Sequence, residues 1–257
     1  MTKIQEFVIR WFTFNIGFVN ALNDHHTDLP SGKQWGWLKS PERAKLLAKA
    51  IIYRKIHLLG LNEMKRGKQQ DALWEALGPM WSKHSIIDNV IAWDRSYFYS
   101  KFEGAIDLLY FGGASKRMPY VILGIRNKWL KNVEIAVACF HLPASSGDKP
   151  GKPKGKELRE EDRERLAKWT AEQKALGRIV ILLGDFNDKK HVILPWIRKI
   201  AGVRAAGVDK WWGIDWIMVD RKIKTVFFDS FRTNRLRRST DHPLLKFRGR
   251  IRYRKAK

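Results

Sequence analysis

Apolar residues along this chain fall into two kinds of run. Short stretches rich in Val, Ile, Leu and aromatics predict strands at 7–16, 55–61, 86–93, 105–111, 120–125, 133–140, 179–183, 214–219, 225–228 and 244–253. Stretches with apolar positions three or four apart predict helices. The first spans 40–54, with Ala44, Leu47, Ala48 and Ile51 on one face and Ser40-Pro41 as its start. Others are expected at 68–80, ended by Gly78-Pro79, at 157–176 with Leu158, Leu166, Trp169 and Leu176 on the apolar face, and at 191–201. The Gly/Pro/Lys segment 144–156 reads as a mobile positive loop. A turn at Asp220-Arg221 is expected to join two strands. The most informative run is 179–183, Ile-Val-Ile-Leu-Leu, a strand buried on both faces. Gly184 is expected to stop it, so that Asp185 and Asn187 stand at the mouth of a buried sheet, where α/β folds place their chemistry. The same residues also suit a plain turn.

Composition narrows the function. The 257 residues carry a formal net charge of +24, with 44% hydrophobic residues and 12 Trp. This is the composition of a folded protein, and so large an excess of positive charge calls for a polyanion, nucleic acid before an anionic membrane surface. One cysteine, Cys139, excludes an intramolecular disulfide framework and a Cys-rich metal site. No continuous apolar leader and no long apolar span is present, so a cytoplasmic location is the expectation. No internal repeat or linker divides the chain, and a single domain over 1–257 is expected.

Candidate chemistry recurs at strand edges: Asn15, Glu63, His141, Asp185 with Asn187, Asp215 within its strand, and Asp241-His242 opening the last strand. Any one of these could be structural, but turn chemistry is a poor account of six in this order. The tandem His25-His26 lies in a polar loop and reads as solvated.

Here the chain resembles the endonuclease/exonuclease/phosphatase superfamily, with its DNase I-like fold. The resemblance rests on Thr13-Phe14-Asn15-Ile16, Leu61-Asn62-Glu63, Phe140-His141-Leu142-Pro143, Gly184-Asp185-Phe186-Asn187, 214–219 and Ser239-Thr240-Asp241-His242-Pro243. Gly-Asp-Phe-Asn and the terminal Asp-His are the most specific. The resemblance implies an α/β four-layer sandwich, two packed mixed sheets with helices outside. It also implies hydrolysis of phosphate esters with a divalent metal, Mg²⁺ with Mn²⁺ as substitute.

By the same resemblance Glu63 is the main metal ligand, helped by Asn15 and Asp241. Asp185 deprotonates the attacking water, Asn187 positions water and phosphate, and His141 and His242 stabilise charge on phosphorus, with Asp215 orienting His242. His141 stands where abasic-site nucleases have Tyr. Gly17 replaces an acidic ligand of some members, and Asn62 stands where Gln is usual. Arg117, with Pro119 two residues on, resembles a segment whose Arg touches the phosphate backbone, and Asp88 is the candidate for orienting His141.

Further phosphate contacts are expected from Lys152 and Lys154 in the basic loop and from Arg235, Arg237 and Arg238. The basic segments, 248–257 included, are expected to flank the site. Trp35, Trp37, Trp211 and Trp212 are candidates for base stacking or for packing.

The reading is a Mg²⁺-dependent nuclease, monomeric, cutting DNA, with RNA as an alternative, and with little sequence specificity. One rival is a phosphatase or phosphodiesterase of inositol phosphates or phospholipid head groups, which would not require +24. The other is a nucleic-acid-binding protein on an inactive nuclease fold.

Overall fold

A computed structural model describes residues 7–21, 40–64, 66–110, 114–144, 154–188, 190–200, 202–208, 213–231 and 242–256. In chain order the elements are β1 (Phe7–Asn20), α1 (Ser40–Tyr53), β2 (Leu58–Asn62), α2 (Lys68–Leu77), β3 (Trp81–Ile86), β4 (Asn89–Asp94), β5 (Phe98–Leu109), β6 (Ser115–Ile125) and β7 (Glu134–His141). They continue with α3 (Gly155–Ala175), β8 (Ile179–Asp185), α4 (Lys190–Lys199), β9 (Val203–Val208), β10 (Asp215–Asp220), β11 (Ile223–Phe231) and β12 (Leu244–Ala256).

The strands form two six-stranded sheets, ordered β11-β12-β1-β2-β4-β3 and β5-β6-β7-β8-β10-β9. Alternation along each central strand sends one side chain to each face. Phe14, Ile16 and Phe18 of β1 meet Ile181 and Leu183 of β8 and Val137 and Cys139 of β7 between the sheets. The opposite face of β8, Val180 and Leu182, packs under Leu166 and Trp169 of α3 and Ile193 and Ile197 of α4. Val19, Leu59 and Leu61 pack likewise under Leu47 and Ile51 of α1 and Leu73 of α2. The result is the expected order of layers: helix, sheet, sheet, helix. It also explains why 179–183 reads as an unbroken apolar run, since both faces of β8 are covered.

Topology decides where the chemistry can be. Strands β1 and β2 are parallel, and so are β7 and β8, so these neighbours end at the same level. Asn20 pairs in register with Asn62, and His141 with Asp185. Strand β10 runs antiparallel to β8 and places Asp215 opposite Asp185. β12 runs antiparallel to β1 and starts just after His242.

Several elements differ from the pattern-based expectations. β1 continues to Asn20, well past 16. β2 begins at Leu58, because 54–57 form the turn that ends α1: the Ile56 N–H donates to the Ile51 carbonyl, the Lys55 N–H to that of Ile52, and Lys55 adopts φ 52°. The run 86–93 contains a two-residue turn at Ile87-Asp88, so it is the end of β3 plus β4. β9 and most of β3 carry too weak an alternation to stand out. The turn after Asp220 is present, but it carries the chain from one sheet to the other. Gly184 does not stop β8, which runs through it to Asp185. A Cβ at Gly184 would lie 2.4 Å from the Phe140 ring and 2.6 Å from its carbonyl oxygen, so glycine is required there by close packing.

Candidate active site

The sheet exits build a polar pit. Glu63 follows β2 directly and Asn187 lies two residues past β8, and both adopt positive φ, 56° and 49°. Non-glycine residues in this region are uncommon, and they turn the chain sharply enough to keep both side chains over the strand ends. Asn62 fixes the spacing of the two sheets. It is fully buried, and its Nδ2 donates to the Phe140 carbonyl at 2.8 Å, which sets Glu63 beside His141. The usual Gln at this position is thus replaced by a residue that makes a sheet-to-sheet bond of its own.

Asp185 lies at the centre. Its Oδ1 accepts from the Asn187 backbone N–H at 2.7 Å, its Oδ2 from Asn20 Nδ2 at 3.4 Å, and His141 Nε2 lies 3.8 Å from Oδ2. Burial, then the Asp215 carboxylate facing it, push the Asp185 carboxyl up to about 8. His242 Nδ1 is 2.6 Å from Asp215 Oδ2, and the ligand atoms of Asp185, Asp215 and His242 lie within 4.8 Å of one another. His141 Nδ1 is 3.9 Å from Glu63 Oε1 and has no hydrogen-bond partner. Burial and the nearby Lys116 lower the His141 imidazole to about 4, so it is neutral at physiological pH. Asn187 Nδ2 donates to the Leu142 carbonyl at 2.7 Å, joining the exits of β7 and β8.

Two residues expected in the site from the sequence lie outside it. Asn15 is not among these residues. It lies five residues before the end of β1, ~16 Å from Asn20 along an extended strand. Its Nδ2 donates to the Lys55 carbonyl at 2.5 Å, its N–H to His57 Nδ1 at 3.1 Å, and its Oδ1 accepts from Arg248 Nε at 3.0 Å. Asn15 therefore anchors the turn after α1. Asn20 occupies the strand exit, with Nδ2 3.4 Å from both Glu63 Oε1 and Asp185 Oδ2. The signal was in the sequence: Gly17-Phe18-Val19-Asn20 continues the apolar alternation, so the strand had no reason to end at 16. With β1 in this register Gly17 faces α1 and the α1–β2 turn, its missing Cβ replaced by Ile56 and Leu59 at 3.0–3.2 Å, and it does not correspond to a ligand position.

Arg117 is likewise displaced. Alternation in β6 exposes Arg117, 3.9 Å from Asp107, and turns Lys116 inward. Lys116 Nζ sits 3.1 Å from Asp88 Oδ1 and 4.5 Å from the centre of the Tyr110 ring. Asp88 is held by Lys116 and by Asn89 Nδ2 at 2.8 Å. It acts on His141 through space and makes no hydrogen bond to it. Tyr110 has its hydroxyl pushed up by burial, then by Asp88 and Glu63. Lys116 and Tyr110 are the members of this corner that the sequence reading missed.

Below Asn187, Asp188 is clamped by Arg159 Nε at 3.1 Å and by Arg163 of α3. A cleft of about 410 Å³ runs from Asn187 past Lys156 and Arg159 to His191. Lys154 stands exposed at the head of α3, its backbone N–H donating to Glu157. Asp241, Lys152, Arg235, Arg237, Arg238, His25, His26 and the four loop tryptophans lie outside the described residues. Residues 248–256 do not flank the pit, because they continue down β12 away from it.

No family model matches the sequence, and no curated protein is similar to it. Solved structures are. An endonuclease/exonuclease/phosphatase family protein from Bacteroides thetaiotaomicron matches with a TM-score of 0.70 at 15% identity, over 94% of this chain and 99% of the other. A mannosyl-6-phosphatase from B. thetaiotaomicron matches at 0.67 and 16%, over 91% and 98%. D. rerio TDP2, complexed with a single-strand DNA product, matches at 0.65 and 14%, over 92% and 98%. The layer order, the two mixed six-stranded sheets and these likenesses give one conclusion: the chain has the DNase I-like fold of the endonuclease/exonuclease/phosphatase superfamily.

Proposed function

We propose that the protein hydrolyses phosphodiester bonds of nucleic acid, DNA or RNA, with water as the attacking group and a divalent cation in the pit. The observation that carries this reading is the gathering of Glu63, Asp185, Asp215, His141, His242 and Asn20 from six separate segments at one exit of the sandwich.

The donor set fits a hard cation. It offers carboxylate and amide oxygens and no thiolate, and a cation there would oppose the burial and the facing Asp215 carboxylate that raise the Asp185 carboxyl. Glu63 and Asn20 would hold the ion, with Asp241 as a further proposed ligand. Bound there, it would supply positive charge to the phosphate oxygens. Asp185, oriented by the Asn187 N–H and Asn20, would take the proton from the attacking water. The bond between His242 Nδ1 and Asp215 orients the imidazole, whose Nε2 would donate to a phosphoryl oxygen. His141, neutral between Glu63 and Asp185, would donate a hydrogen bond without adding a net charge. Lys116 supplies the fixed cation behind it.

The net charge of +24 favours a polymeric anion over a small one. The mannosyl-6-phosphatase on the same fold keeps a phosphomonoester reading in play, and one assay separates the two. Purified protein with Mg²⁺ or Mn²⁺ is offered circular and linear single- and double-stranded DNA, RNA, an inositol phosphate and a sugar phosphate. Nucleic acid is expected to be cut, and excess chelator to stop the reaction. Full cleavage in chelator would defeat the metal role, and faster turnover of the small phosphates would defeat the nuclease reading.

A further inference from the structure

The outer face of β11, β12 and β1 carries a second concentration of positive charge, remote from the pit. Helix α1 covers this sheet only down to Asn15, where its terminal turn is anchored. Beyond that point the outward residues of β1 are Thr13, Trp11 and Ile9, with Thr13 exposed and Ile9 48% exposed. The same face of β12 presents Arg248, Arg250 and Arg252, paired in register with Asn15, Thr13 and Trp11. On the other side β11 contributes Lys224 opposite Arg250 and Phe227 opposite Arg248, with Phe227 44% exposed. The row is connected: the Arg250 guanidinium lies 4.3 Å and the Lys224 ammonium 5.5 Å from the centre of the Trp11 ring. Arg250 Nε has no hydrogen-bond partner among the described residues. At the lower rim, between the two sheets, a cleft of about 460 Å³ is lined by Trp11, Arg221, Lys222, Lys224 and Arg252 together with residues at the foot of the other sheet, and none of the described residues lining it is acidic.

This arrangement is unfavourable for the isolated fold. Like charges directly opposite across a ladder, as with Lys224 and Arg250, destabilise a sheet, and so do like charges at alternate positions on one face. The only described carboxylate on this face is Asp229, at the upper end opposite Lys246. Arg248 donates to Asn15, but the Arg250 and Arg252 side chains project away from the inter-sheet core that holds Phe247 and Ile251. A row of cations with Asp229 as its one described carboxylate, set on a sheet and interleaved with aromatics, matches a polyanion that also has flat faces to stack.

We propose that this face of β11, β12 and β1 is a binding platform for single-stranded nucleic acid, separate from the pit, with Arg248, Arg250, Arg252 and Lys224 on the backbone phosphates and Trp11 and Phe227 beside the bases. Alternate residues of β12 recur every ~6.7 Å, near the spacing of consecutive phosphates along a strand, and the aromatics between them favour a strand whose bases are free to stack. Trp11 lies nine residues before Asn20, ~30 Å from it along β1. A strand engaged there can therefore be held while another stretch of it occupies the pit. Phosphate contacts carry no sequence information, so the platform binds strands of any composition.

The test is binding measured in excess chelator, so that it does not depend on hydrolysis. Fluorescence anisotropy of a long labelled oligothymidylate is followed against salt for wild type and for the triple variant Lys224→Ser, Arg250→Ser, Arg252→Ser. Loss of three contacts should flatten the slope of log affinity against log salt by about 2, with affinity at low salt falling about tenfold or more. The Arg250→Lys, Arg252→Lys variant should retain most of the binding, and equal melting temperatures show that the variants fold. Hydrolysis of a small chromogenic phosphodiester should be unchanged. An unaltered slope in the triple variant overturns the proposal. Equal loss for duplex and single strand overturns its strand preference. Retained nucleic-acid binding with loss of binding to phosphatidylserine vesicles reassigns the face to membranes. Failure to cleave any nucleic acid would defeat the hydrolytic reading and leave this measurement standing.

Discussion

The two ends of β1 carry opposite chemistry. At Asn20 the strand opens into a pit where, among the described residues, carboxylates outnumber cations and Asp185 is driven to about 8. Below Asn15 the same strand lies beside an uncompensated row of arginines. A net charge of +24 says nothing of this separation. The difference teaches that net charge hides local charge: among the described residues the pit is acidic, while the arginines of β12 lie away from it, a separation that the two proposals above assign to hydrolysis and to holding a polymer. It also follows that two asparagines five residues apart on one strand serve unrelated ends.

The largest expected effects are at the pit. Asp185→Asn should lower hydrolysis by ~10²–10⁴-fold while leaving the fold intact, because Asn keeps the size of a side chain whose ionised form burial and Asp215 already oppose. His242→Ala should fall in the same range. Rates on a small phosphodiester within a few-fold of wild type would remove either residue from its assigned role.

The sharpest test of the comparison exchanges the two asparagines. Asn20→Ala should reduce activity by about 10–100-fold, as loss of a ligand-orienting partner does, with little change in melting temperature. Asn15→Ala should do the reverse. It strips partners from the Lys55 carbonyl and from Arg248, costing about 1–3 kcal/mol of stability, with activity per folded molecule held constant. Denaturation curves and initial rates on the same preparations decide it. Loss of activity in a stable Asn15→Ala protein would return that residue to the site.

A smaller effect separates Lys116 from Arg117. Lys116→Met is expected to lower the rate about tenfold and to raise the His141 pKa, since Lys116 is one of the charges holding it down. Arg117→Ser, on the exposed edge, should leave the rate within a factor of two or so of wild type. NMR titration of His141 in both variants provides a readout that mere loss of stability would not move.

The smallest effect lies away from both regions, on α3. Burial pushes the Asp162 carboxyl up from 3.8 to about 7, although it accepts a hydrogen bond from the Leu109 N–H. Between those values the folded chain keeps a proton that the unfolded chain has lost, so stability at this position falls as pH rises through that window and is flat above it. Asp162→Asn retains an acceptor for Leu109. It should melt above wild type at pH 8, with the gain shrinking towards pH 4. A pH-independent difference would mean that the carboxyl ionises normally in the fold.

The sequence by itself determined the layers and pointed to most of the residues that the fold gathers in the pit. Local apolar runs report burial on one face or both, and 179–183 could be read as a doubly covered strand because its pattern depends only on its own residues. Glu63, His141, Asp185, Asn187, Asp215 and His242 were likewise legible, because each stands at or beside the edge of such a run. Tertiary structure alone decided the rest. Whether Asn15 or Asn20 meets Glu63 depends on how far β1 is paired with β2 and β12, and Asn15 was ruled out by the docking of a turn from another element. Whether Lys116 or Arg117 faces inward depends on the phase of β6 against β5, where a slip of one residue exchanges the two faces. That β10 and β11 enter different sheets, and that the basic end of the chain runs down an open sheet face away from the pit, are facts of long-range pairing. A pattern of apolar and polar residues records which face of an element is buried; it does not record which partner buries it.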